Sequence, residues 1–114
     1  MLCMESMITN FELAKSKSTL EEIKNEIDSV YDGIGKLETD ELFSSVILLE
    51  KSLDLKSDTF YKLGGEHYNN CLIPTLQKIS MYIQYAKETE TDHKISGYLD
   101  EAISEIEYYF SENT

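Results

Sequence analysis

An antiparallel bundle of four to five amphipathic helices, all-α, is the fold this sequence predicts, and three observations carry that expectation. Apolar residues recur at intervals of three and four along nearly the whole chain. No comparable stretch alternates apolar and polar residues as a half-buried strand would. The connections between the periodic stretches are short and polar, which favours antiparallel neighbours. With 114 residues, 41% of them hydrophobic, the chain has material for one core, and 1–114 reads as a single helical domain. Its first few residues, where Met1, Met4 and Met7 are each candidate starts, are expected to be loose.

At the N-terminus, Met4, Met7, Ile8, Phe11 and Ala14 form one stripe, and Leu20, Ile23, Ile27, Val30 and Ile34 form another. At ~100° per residue the two stripes point roughly 150° apart, so one straight helix cannot bury both. A break is therefore expected in the polar run 15–19. Ser18 with Glu21, or Thr19 with Glu22, supplies a capping box to start the second helix there. Gly33 and Gly35 end that helix. Thr39, Asp40 and Glu41 open the next, which carries Leu42, Phe43, Val46, Leu49 and Leu53; Ile47 and Leu48 widen its apolar face and suggest a central position. One further turn is expected at 58–63 before Gly64 and Gly65 interrupt the chain.

A helix over about 66–87 places Tyr68, Leu72, Leu76, Ile79, Ile83 and Ala86 on one side, with Pro74 either kinking it or marking its first turn. Met81 and Tyr85 lie opposite that stripe, and burial is expected for them because a central helix is buried all round. After the polar connection 88–92, the last helix carries the clearest amphipathic pattern: Ile95, Tyr98, Leu99, Ala102, Ile103, Ile106, Tyr109 and Phe110.

Charge narrows the function. There are 22 Asp and Glu against 10 basic residues, all of them Lys, for a net charge of −12. Without Arg the chain lacks the best bidentate reader of phosphate and guanine, and its sign repels nucleic-acid backbones and anionic lipid surfaces. Direct nucleic-acid or membrane binding is not expected; a basic protein partner is. Cys3 and Cys71 make no disulfide framework. The start has no basic region followed by a long apolar run, and a reduced, cytoplasmic setting is expected.

No catalytic, cofactor or metal site is expected. His67 and Cys71 are four apart, but zinc needs three or four ligands. Glu90 and His93 have the Glu-x-x-His spacing of di-iron bundles without the second copy such a site requires. The run 64–67 is too short and wrongly charged for a phosphate loop. Paired carboxylates fall on solvent faces, away from the burial that tunes an acid or base.

The most informative segment is the last helix. Residues 88–114 hold eight acidic residues against one Lys, Lys94, a net −7 of the chain's −12. On a helical wheel Glu101, Glu105 and Glu112 cluster with Tyr108, which points roughly 145° from the apolar stripe. Glu101 and Glu105 are a like-charged i, i+4 pair with no compensating Lys, a local cost that suits a surface awaiting a basic partner. In size, charge and helicity the chain resembles the immunity proteins that block bacterial nuclease toxins, and inhibitors that mimic the charge of DNA. That resemblance carries over no residue role. It implies a non-enzymatic protein that neutralises a basic partner by occluding its cleft. The competing expectation is a self-associating or chaperone-like module, a homodimer among its forms, using Met81, Tyr85 and the N-terminal apolar stripe.

Overall fold

The computed structural model describes residues 10–63, 68–89 and 91–112. Within them the chain is an all-α bundle of four helices: α1 (Asn10–Gly33), α2 (Thr39–Leu63), α3 (Ile73–Glu88), preceded by a π-helical turn over Tyr68–Leu72, and α4 (Asp92–Glu112). Each helix packs against two neighbours in cyclic order, with α1 closing the ring against α4. No strand occurs among the described residues.

The core explains the ring. On α1 the buried series is Ser16, Leu20, Ile23, Ile27, Val30; on α2 it is Leu42, Val46, Leu49, Leu53, Phe60. Leu72, Leu76, Ile79, Ile83 and Ala86 continue it into α3, and Ile95, Leu99, Ala102, Ile106 and Tyr109 supply α4. Steps of three and four recur in each series, the repeat that keeps one seam of a helix turned toward its partners. Fully burying each Leu or Ile stabilises the fold by roughly 1.5–3 kcal/mol.

The expected break at 15–19 is absent. α1 is one continuous helix of 24 residues, and Ser18 and Thr19 lie inside it rather than at a cap. Ser16 is the reason: it occupies a core position, so the series of Leu20 runs on toward the N-terminus through a polar residue. Phe11 and Ala14, from the other stripe, are exposed, and Met4, Met7 and Ile8 lie outside the described residues. Nor is 58–63 a separate turn. α2 runs to Leu63, held by Phe60, which is buried and meets the ring of Tyr68 edge-on at 4.9 Å.

Connections behave as their residues dictate. Gly35 takes φ +82°, a left-handed conformation open to glycine, while Lys36 and Leu37 both donate to the carbonyl of Gly33. Asp40 and Glu41 occupy the first turn of α2, where carboxylates favour the helix dipole. Pro74 lies in the first turn of α3. Its ring would clash with the carbonyl four residues back and it lacks an N–H, a conflict that the wider π turn relieves. The Thr75 hydroxyl donates to the Cys71 carbonyl at 2.9 Å, satisfying one group there.

Lys–Glu pairs bridge all four seams. Lys56 meets Glu26 at 3.3 Å between α1 and α2, and Lys87 meets Glu50 at 3.0 Å between α2 and α3. Lys78 and Glu105 are 3.9 Å apart between α3 and α4, and Lys24 and Glu107 are 4.0 Å apart between α1 and α4. Lys56 sits at a position of α2 that the core repeat would fill with an apolar side chain, and its ammonium also donates to Ser52 at 2.8 Å.

Two outcomes test this account. Ser16 is fully buried, and its hydroxyl finds no hydrogen-bond partner among the described residues. Ser16→Ala is expected to raise stability by about 1 kcal/mol, because an orphaned buried polar group is costly; a urea midpoint at or below that of wild type would contradict the assignment. Burial, reinforced by the Glu12 carboxylate, pushes the Tyr68 phenol above its ordinary pKa. A raised native value means stability that is complete below the unfolded tyrosine pKa of about 10 and lost as pH climbs through the native one. Tyr68→Phe is expected to flatten the alkaline loss of stability, measured by urea unfolding on either side of pH ~10.

Candidate functional site

The rotation of α4 is fixed by its buried stripe. With Ile95, Leu99, Ala102, Ile106 and Tyr109 turned inward, Asp100, Glu101, Ser104 and Tyr108 face solvent. Tyr108 is 61% exposed, a large amphipathic ring on a helix whose backbone is already ordered. Glu101 is exposed one to two turns before it, and Glu112, one turn after, is half-buried. Asp100 and Glu101 make no ion pair among the described residues, so their charge is directed outward.

Glu105 differs. Lys78 of α3 stands 3.9 Å from it, and its side chain is only 23% exposed. Glu107 likewise faces Lys24 of α1. The expectation that Glu105 is uncompensated is thus corrected: its counter-charge comes from a neighbouring helix, where a wheel drawn on α4 alone cannot show it. The like-charged pair Glu101 and Glu105 is relieved because one member leans across the seam.

Met81 and Tyr85 are also corrected. They are 39% and 43% exposed rather than buried. α3 is packed tightly by α4 on one side and α2 on the other, yet it keeps an outward face. Tyr85 lies against Tyr98 of α4 with ring centroids 5.5 Å apart. Beyond Tyr98, a shallow cleft of about 330 Å³ is bounded by His93, Lys94, Gly97 and Glu101. Two patches that are separate in sequence therefore share the outer surface of the α3–α4 hairpin.

Among the described residues no three His, Cys, Asp or Glu side chains gather to hold a metal ion. His67, Glu90 and the run 64–67 lie outside the described residues, and Cys71 is buried. No described helix is long and apolar enough to cross a membrane.

Sequence reasoning missed another feature. Leu48 was expected to widen the core face of α2, but it is 66% exposed, and Leu55, seven residues on, is 71% exposed. The signal was available: neither belongs to the three-and-four series that buries Leu49 and Leu53.

The seam geometry separates the two glutamates experimentally. Glu105→Lys sets two ammonium groups together and is expected to lower stability by about 0.5–1 kcal/mol, the scale of a partly exposed ion pair. Glu101→Lys is expected to leave stability unchanged. Equal effects of the two reversals in thermal unfolding would contradict the pairing of Glu105 with Lys78.

No protein-family model, curated protein or solved structure matches this chain.

Proposed function

We propose that the protein is a non-enzymatic binding module that neutralises a basic partner protein by covering its functional cleft with the outer face of α4. The observation that carries this reading is Tyr108, 61% exposed between Glu101 and Glu112 on a helix locked by its core stripe. A preordered tyrosine offers contact area at little entropic cost, and tyrosines are favoured where binding energy concentrates. Around it the unpaired carboxylates of Asp100 and Glu101 suit Lys or Arg on the partner. A net charge of −12 draws such a partner in and makes the encounter salt-sensitive. Glu105, tied to Lys78, borders this surface and orients it rather than anchoring the partner.

A second reading has one observation in its favour. Met81 and Tyr85 are partly exposed, which suits self-association through α3. The high like charge of two copies opposes it, and a monomer mass in sedimentation at low and high salt would remove it.

A pull-down with tagged full-length protein, washed at low and high salt, is expected to retain a basic protein that leaves at high salt. Against that protein, Tyr108→Ala combined with Glu101→Lys and Glu112→Lys is expected to lower affinity at least about tenfold, with the circular dichroism spectrum unchanged. Glu105 is left intact because its reversal disturbs the α3–α4 seam. Undiminished affinity in that variant would remove α4 as the binding face.

A further inference from the structure

The α1–α2 seam lies across the bundle from α3–α4, and it is open. A trough of about 340 Å³ runs between the two helices, within the range of clefts that bury a ligand. Its floor is apolar, formed by the buried side chains of Val30 and Leu49, and its walls are small: Ser29, Ser45 and Ser52. The hydroxyls of Ser29 and Ser45 turn back onto their own helix, donating to the carbonyls of Asn25 at 3.1 Å and Glu41 at 3.0 Å. These walls therefore present little polarity to an occupant. Leu48 stands at the lip, and Leu55 follows two turns along the same flank of α2, about 10 Å away at 1.5 Å per residue.

The rim is acidic. Glu26 lines the trough. Its Oε1 accepts from Ser52 and Lys56, whereas Oε2 is buried and without a hydrogen-bond partner among the described residues. Glu22, one turn before Glu26, and Glu41, one turn before Ser45, are both exposed. Lys56, the cation facing Glu26, is engaged by it and by Ser52.

We propose that this trough is a docking site for a basic amphipathic helix of a partner protein. Such a helix would set one bulky apolar side chain over Val30 and Leu49, lie along Leu48 and Leu55, and turn Lys or Arg toward the exposed Glu22 and Glu41. The two exposed leucines stand two helical turns apart, about 10 Å, the spacing of residues seven apart on the face of a helix laid along them. Charge decides the occupant: a second copy would bring the same acidic rim and a further −12 against this one, while a basic helix satisfies both rim and floor. The site is independent of the α4 surface, and neither reading needs the other.

The probe is a synthetic leucine–lysine amphipathic helix, titrated into isotopically labelled full-length protein and followed by amide chemical shifts. A lysine–serine peptide of equal charge is the control. Saturable shifts are expected at Ser29, Val30, Ser45, Leu48, Leu49 and Ser52, with no saturation by the control. Leu48→Glu with Leu55→Glu is expected to weaken binding about tenfold. Ser45→Phe, which fills the trough from its own wall, is expected to do the same if the acidic variant fails to fold. Tyr108→Ala with Glu101→Lys is expected to leave this affinity unchanged, which distinguishes failure here from failure of the α4 reading. Shifts centred on α4, equal binding by the control peptide, or undiminished affinity in the trough variants would overturn the proposal. So would a wild-type dimer in sedimentation that Leu48→Glu dissociates, which would assign the trough to a second copy.

Discussion

A repeat of three and four residues between buried side chains is the constraint on which the rest of this structure depends. Ser16 through Val30, Leu42 through Phe60, Leu72 through Ala86 and Ile95 through Tyr109 all keep that spacing, and their side chains meet in one apolar cluster. A straight helix turns once in 3.6 residues, so a mean interval of 3.5 keeps the same edge on the bundle axis over several turns. Once that edge is buried, the rotation of each helix is no longer free. Tyr108 and Glu101 are directed outward because Leu99, Ala102, Ile106 and Tyr109 are directed inward.

The core fixes rotation, and the seams add neighbour identity. Lys24, Lys56, Lys78 and Lys87 each reach across to a glutamate on the adjacent helix. Partly exposed pairs of this kind contribute little stability individually. Their more important effect is selective, since flanking charges discriminate among possible helix partners. They also shape the external field. Four of the chain's ten basic residues are turned toward glutamates of adjacent helices, and carboxylates such as Asp100 and Glu101 face solvent with no ion pair among the described residues.

The two candidate interaction surfaces follow from opposite departures from ideal packing. On α3–α4 the seam is closed by Tyr85 against Tyr98 and by Lys78 near Glu105, so the outer face of α4 is rigid and its tyrosine preorganised. On α1–α2 the flanking residues are serines, too small to fill the space above Val30 and Leu49, and the seam stays open as a trough. A rigid aromatic prominence suits a concave partner; an apolar trough with an acidic rim suits a convex one.

By itself the sequence determined the all-α class, the body of α4 with the buried residues of its stripe, the opening of α2 at Thr39, the glycine stop after α1 and the outward placement of Glu101 and Tyr108. Each of these depends on spacing within one helix or on the local chemistry of a cap, and both are written along the chain. Only the tertiary structure decided that α1 is unbroken, since Ser16 reads as polar in a one-dimensional pattern while a bundle tolerates one small hydroxyl in a core slot. It alone decided that Lys78 and Lys24 answer Glu105 and Glu107, that Met81 and Tyr85 reach the surface, and that Leu48 stands at the lip of a groove. Those outcomes depend on which helix lies alongside. Three-dimensional packing sets that, because an apolar stripe specifies that it must be covered and not by what.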